Sequence, residues 1–297
     1  MTLPDAVRDG LEQALGPVRG VTPLAGGSIS EAFRVETGDG PVFLKHHPQA
    51  PAEMFAAEAD GLRALHAAAG DALRIPAVLA MDTGLVARWI ALEWLEPGPS
   101  GPSFGERLGR GLAALHRAGE GRWGWRRANF IGDLPQRNEP TMAWADFWRS
   151  RRLQPQVKMA WWRLRKLHLD REWERLFDRL PELLAPVEED GPSLLHGDLW
   201  SGNVLSAAGE PALIDPAVYR GHREVDLAMA ELFGGIDARS DARFHAAYRE
   251  AWPLLPGYLE TRRPIYQLYY LLVHVNLFGG AYVAQTVAML KRVSKGG

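Results

Sequence analysis

Asp198 and Asn203 stand five residues apart inside "LLHGDLWSGNVL", Leu194 to Leu205, and Asp215 follows twelve residues after that Asn. Leu194–Leu195 and Val204–Leu205 read as strand ends, so the polar residues between them are pinned on a turn at the surface of a core. Turns held in this way are common sites of chemistry. The intervening "EPAL" leaves room for a hairpin that returns Asp215 beside Asn203. A carboxylate and an amide oxygen converging there suit Mg²⁺, a hard ion that takes oxygen ligands and keeps waters. Asp198, left off the metal, is placed to accept a hydroxyl proton. Singly, each of these residues is an ordinary turn former; only their joint spacing points to a site.

His196-Gly197-Asp198, then Asn203, then a strand-terminal Asp is the layout of enzymes that transfer phosphoryl groups from ATP. That chemistry also needs a flexible turn over the phosphates, a strand Lys and a helical Glu to hold it. "AGGSIS" offers Gly26, Gly27 and Ser28, whose backbone N–H groups could cradle phosphate oxygens. Lys45 ends the strand "VFLK", where alternation puts it on the same face as Phe43. Glu58 lies in "MFAAEADGL", on the next helix, as expected for the partner of that Lys. The connector "ALEWLEPG" would then present backbone groups of Glu93 and Leu95 to adenine, between apolar walls such as Val42 and Leu213. Asp226, with the chain after it helical, is read as accepting backbone N–H bonds from the turn around His196; a plain N-cap would look the same. ATP and Mg²⁺ are the implied cofactors.

The elements that must position these residues divide the chain in two. Up to residue 95 a helix over Asp5–Leu15 is followed by strands in "VTPLAGGSISEAFRVET" and "GPVFLKHH", a helix from Pro51 to Gly70, and two further strands, "AVLAMDTG" and "LVARWIALEWL". "EPGPSGPS", Glu96 to Ser103, marks a boundary, giving lobes of residues 1–95 and 96–297. The second is mainly helical, with helices predicted over Phe104–Ala118, Thr141–Leu153 and most of Met159–Leu184. "PALIDPAVYRG" reads as a strand stopping at Asp215–Pro216. The fold class is therefore α+β.

Composition narrows the function classes. The 297 residues are 46% hydrophobic and 24% charged, with a formal net charge of −2, which argues against a nucleic-acid partner. No cysteine is present, excluding thiol catalysis and Cys-ligated metal and suiting a reducing, cytoplasmic compartment. The N-terminal "MTLPDAVRDGLEQAL" has no apolar stretch of signal-peptide type. "LYYLLVHVNLFGGAYVAQTVAML" is long enough for a membrane span, but His274, Asn276 and Gln285 interrupt it, and a buried helix or helix pair is the reading adopted.

These blocks resemble the fructosamine kinase family, within the aminoglycoside-phosphotransferase-like branch of the protein-kinase fold. The resemblance runs through "GGSISEAF", "VFLK", "NFIGDLPQRN", "LLHGDLWSGNV", "IDPAVYRGHREVDLAMAELFGG" and "YQLYYLLVHVNLFGG", with "HGDLWSGN" the most specific block. It implies a bilobal protein-kinase-like fold, a small antiparallel-sheet N-lobe and a larger helical C-lobe. It also implies ATP-dependent phosphorylation of a sugar hydroxyl on a ketosamine, the adduct formed when an amine is glycated. Carried over, Asp198 is the base, Asn203 and Asp215 hold Mg²⁺, and Lys45 with Glu58 positions ATP. Trp200 offers a flat face to the sugar-amine, with His222, Glu224, His274 and Asn276 as further substrate-side candidates, each equally compatible with a core role.

Two departures stand out. Ser28 replaces a Cys of many relatives that is tied to redox control, and Pro140 replaces a Trp two residues after the Asn of the "PQRN" block. In a late proton transfer the pKa of Asp198 need not be raised. Gly197 stands where regulated protein kinases carry Arg, and only ten residues separate Asp215 from Asp226, too few for an activation loop. The same layout also fits a kinase of aminoglycosides, choline or a simple sugar, or a binding module that has lost turnover.

Overall fold

Alternating side chains in "EAFRVET" and "GPVFLKH" give two strands with one face for a core. In the computed structural model, which describes residues 3–25, 30–84, 87–237 and 240–295, that face is real. Strands β1 (Gly20–Leu24), β2 (Glu31–Thr37), β3 (Gly40–His46), β4 (Val78–Thr83) and β5 (Arg88–Glu93) form one antiparallel sheet in the order β1-β2-β3-β5-β4. Phe33, Val35, Val42, Leu44 and Trp89 pack against Val7 and Leu11 of α1 (Asp5–Leu15). Helix α2 (Met54–Ala69) belongs to the main core instead. Its Phe55, Leu62 and Leu65 are buried together with Ile90 and Leu92 of β5 and with residues of the helical part.

The helical part opens with α3 (Phe104–Arg117) and the hairpin β6 (Asn129–Ile131) and β7 (Leu134–Gln136). Helix α4 (Trp144–Phe147) runs through a wider π-helical turn, Trp148–Leu153, into α5 (Gln154–Leu164). The helical stretch predicted across Met159–Leu184 is broken: the chain turns at His168, whose φ of 49° is left-handed, and restarts as α6 (Asp170–Leu184). Asp170 and Glu172 in that first turn favour the restart, because they oppose the positive end of the helix dipole.

The stretch "PALIDPAVYRG" also divides. Strand β9 (Val204–Ala207) pairs with β10 (Glu210–Leu213), whereas β11 (Tyr219–Gly221) pairs with β8 (Ser193–Leu195). Asp215, at φ 55°, turns the chain out of line, and Pro216 has no N–H to continue a ladder. Helices α7 (Glu224–Leu232), α8 (Asp241–Ala251), α9 (Arg263–Phe278) and α10 (Val283–Lys295) complete the chain. The apolar C-terminal run is thus a helix pair broken at Gly279, and among the described residues no helix is long and apolar enough to cross a membrane.

A buried ionic network ties α7 to the start of α9. Arg262 Nε donates to Glu224 Oε2 at 2.6 Å and its Nη2 to Oε1 at 2.9 Å, with both side chains withdrawn from solvent. Removing one partner leaves a buried charge uncompensated. Glu224→Ala should therefore lower stability by about 3–5 kcal/mol. Urea denaturation followed by tryptophan fluorescence measures it, and a loss below about 1 kcal/mol would place the pair among ordinary surface bridges.

Candidate active site

Lys45 emerges from β3 into the space between the sheet and the helical part. Its Nζ lies 2.6 Å from Glu58 Oε1 on α2 and 2.5 Å from Asp215 Oδ1. Burial alone would lower the Lys45 pKa, but the charges of Asp215 and Glu58 outweigh it and hold the ammonium well above the usual lysine range.

The turn carrying Asp198 is fixed by the backbone. Gly197 has φ 83°, and a Cβ there would lie 2.1 Å from Ala217 O, so the position admits no side chain. Asn203 Nδ2 donates to Asp198 O at 2.8 Å, to Asp198 Oδ2 at 3.2 Å and to Asp215 O at 3.4 Å. One amide therefore spans both carboxylate-bearing segments. His196 Nε2 donates to Ile214 O at 2.8 Å while its Nδ1 accepts the Asp198 N–H at 3.3 Å, and burial keeps the ring neutral.

Asp226 is the third residue of α7 rather than its cap, and it is completely buried. Its carboxylate accepts the N–H groups of His196 at 2.8 Å and Gly197 at 2.9 Å, and His116 Nε2 at 3.1 Å. Tyr270 OH holds Gly197 O from the other side at 2.8 Å. Spacing within one stretch of sequence gave no hint of His116 or Tyr270; both reach the turn across the core.

Burial, and then the nearby Asp215 charge, pushes the Asp198 carboxyl up to about 7. A late proton transfer does not require that rise; it comes from the enclosure of the turn. The neighbouring carboxylates of Asp198 and Asp215, whose segments the Asn203 amide bridges, form a site suited to a further cation. Among the described residues no cluster of three or more His, Cys, Asp or Glu could hold a metal ion. The oxygen donors on offer are Asp215 and Asn203, a set that fits a hard ion completing its shell with phosphate oxygens and water.

The remaining expected positions divide clearly. Gly26, Gly27 and Ser28 lie outside the described residues. Glu93 ends β5 with its N–H donated to Ala77 O at 2.8 Å and its carboxylate on Arg74 at 2.5 Å; Leu95 is buried against Ala207 and Ala212. Trp200 is 39% exposed, and Gly202 lacks the Cβ that would lie 2.4 Å from its ring.

Burial corrects the substrate-side role of two residues. His222 is enclosed, bonded to Tyr266 OH at 2.9 Å and Asp190 Oδ2 at 3.2 Å, and Glu224 is the partner of Arg262; neither presents an atom to a ligand. His274 is half-buried among Phe233, Phe278 and Tyr282, with Nδ1 bonded to Tyr270 O at 2.8 Å. Asn276 donates to Gln156 Oε1 at 2.7 Å and so ties α9 to α5.

The fructosamine kinase family pattern matches residues 6–295. The chain belongs to the fructosamine kinase family. It is 39% identical over 91% of its length to a Synechocystis protein named "Probable ketoamine kinase", covering 88% of that relative. It is 34% identical over 92% of its length to the chloroplastic protein-ribulosamine 3-kinase of Oryza sativa subsp. indica, covering 78% of that one. A Thermobifida fusca crystal structure carrying the fructosamine-3-kinase name superposes with a TM-score of 0.85 at 34% identity, over 99% of this chain and 100% of that one. The aminoglycoside phosphotransferase APH(4)-Ia superposes at a TM-score of 0.61 with 18% identity, over 98% and 99% of the two chains, a likeness of fold. This member of the family is an ATP-dependent phosphotransferase with a protein-kinase-like fold.

The buried histidines around the turn give stability a definite pH dependence. Burial lowers the pKa values of His116 and His222, so the folded protein keeps both neutral while the unfolded chain protonates near pH 6.5. Their contribution is complete above about pH 6.5 and is lost as pH falls from there toward the folded-state values. Melting temperature should thus drop between pH 7.5 and 5.5, and His116→Gln should flatten that slope. An unchanged slope in the variant would count against a neutral His116.

Proposed function

We propose that this protein phosphorylates a sugar hydroxyl of ketosamines of the fructosamine and ribulosamine type, with Asp198 as the catalytic base. The observation that carries the reading is the meeting of Lys45, Asp215, Asn203 and Asp198 in one cleft, from segments far apart in sequence. Lys45, steadied by Glu58, would neutralise phosphate charge, and Asp215 with Asn203 would hold Mg²⁺. That ion supplies charge neutralisation and alignment of the phosphates. Asp198 would align the substrate hydroxyl and take its proton. Burial pushes the Asp198 carboxyl up to about 7, which suits an acid–base group around neutral pH. The half-exposed Trp200 ring, on the same turn, would receive the sugar-amine.

The loop of Gly26, Gly27 and Ser28 would cover the phosphates, and Glu93 and Leu95 would flank adenine. We assign residues 1–95 and 96–297 as the two lobes around this cleft. A cytoplasmic location accords with the cysteine-free chain, and small glycated amines or glycated proteins are the expected partners, with no role for nucleic acid or membrane.

A coupled assay of ATP consumption on ribulose-, erythrulose- and fructose-amines, against aminoglycosides and choline, tests the substrate class. Turnover should appear with the ketosamines, and turnover confined to the other hydroxyl compounds would refute the assignment. Asp198→Ala should reduce kcat about 10²-fold or more, and normal turnover by that variant would remove Asp198 from its role. ATP binding without turnover on any substrate would leave a binding module.

A further inference from the structure

Asp215 sits in a left-handed conformation, at φ 55°, and is followed by a proline. A non-glycine residue there persists only when its surroundings over-determine it. The backbone supplies little: Ile214 N–H bonds Asn203 O at 3.1 Å and Ala217 N–H bonds His196 O at 2.9 Å, and pairing with β8 resumes only at Tyr219. The carbonyls between are taken by two amide side chains from the β6–β7 hairpin. Asn129 Nδ2 donates to Val218 O at 2.8 Å, and Gln136 Nε2 donates to Ala217 O at 3.3 Å.

The orientation of those amides is itself imposed. Asn129 Oδ1 accepts from Gln136 Nε2 at 2.8 Å and from Asn138 Nδ2 at 2.7 Å, which turns its NH₂ toward Val218. Gln136 Oε1 accepts the Tyr269 hydroxyl at 2.6 Å, which turns its NH₂ toward Ala217. Behind Asn138 lies Arg152, completely buried, with Nη2 on Asn138 Oδ1 at 2.7 Å and its guanidinium over the Tyr219 ring at 3.9 Å. None of the ion pairs formed among the described residues involves Arg152; its donors go to Asn138 and to the carbonyls of Arg137 and Arg151. The two chains, Arg152 through Asn138 to Asn129 and Tyr269 to Gln136, end in the donors to Val218 O and Ala217 O. Arg152 Nε is buried without a partner among the described residues, but the Asn138, Asn129 and Gln136 amides each both donate and accept, which holds them in one orientation.

We propose that Gln136 and Asn129, oriented by Tyr269 and Arg152, are positioning residues that fix the segment after Asp215 and thereby aim its carboxylate at the phosphates. In switchable kinases the segment after the metal-binding Asp is ordered by phosphorylation. Here the order is built in at folding by side-chain amides. The inference rests on the reading of Asp215 as a metal-holding residue.

The test uses Gln136→Glu, which replaces the donor facing Ala217 O by a carboxylate oxygen, and Tyr269→Phe, a milder change that frees the Gln136 amide to turn. Gln267→Met is the control; its Nε2 bonds Ala228 O at 3.0 Å in an equally buried setting away from the cleft. In the metal-free protein, hydrogen exchange over residues 215–219 should accelerate in both variants and not in the control. kcat should fall about tenfold in Gln136→Glu and about threefold in Tyr269→Phe, while KM for the ketosamine stays within about twofold, as expected for misplacement without loss of substrate contacts. Unchanged exchange in both variants, or a kcat loss no larger than in the control, would overturn the proposal. A wild-type protein with no ketosamine-dependent ATP turnover would sink the functional reading instead, and the exchange comparison alone would then decide whether the brace exists.

Discussion

One ammonium group between two carboxylates organises this molecule. Lys45 is supplied by the sheet, Glu58 by α2 and Asp215 by the chain following β10, so a contact of 2.6 Å and another of 2.5 Å require three separate elements to be in place at once. The pairing is consequential because Lys45 and Glu58 are largely withdrawn from solvent, with Asp215 completing it from the open side. A buried cation without its partners costs several kcal/mol, whereas paired it locks the elements that bring the partners. The buried cluster that includes both α2 and the helical part is the apolar counterpart of the same constraint.

Around that centre, polar groups are used to fix backbone. Asp226 takes two successive N–H groups of the turn that carries Asp198, Tyr270 takes a carbonyl of it, and the amides of Asn129 and Gln136 take the two carbonyls beyond Pro216. Catalysis of phosphoryl transfer asks a protein mainly for positioning and charge neutralisation. This site spends its buried polar residues accordingly, on holding the groups that would touch the phosphates.

Much of this was legible in the sequence because it is local. The helix over Asp5–Leu15, the strands of the sheet and the turn at Asp198 follow from periodicity, glycine and proline placement and the spacing of a few polar residues, all within windows of some twenty positions. Where local signals were weak the reading slipped. The break at His168 follows from one left-handed residue, whereas the strand expected to stop at Asp215–Pro216 does end just before it, at Leu213.

The sequence by itself determined which chemistry is possible: Lys45, Glu58, Asp198, Asn203 and Asp215, in that order and on those element types, suit little other than handling phosphate and a hard metal ion. Only the tertiary structure decided which other polar residues join them. His222 and Glu224 carry the same functional groups as a substrate site would, yet they are enclosed as core anchors, while His116, Tyr270 and Gln136 reach Asp226, the Asp198 turn and the segment after Asp215 from 73 to 110 positions away. The reason is physical. A side chain's role follows from whether its polar atoms end in water or against a distant backbone, and no pattern confined to neighbouring residues encodes which of those it meets.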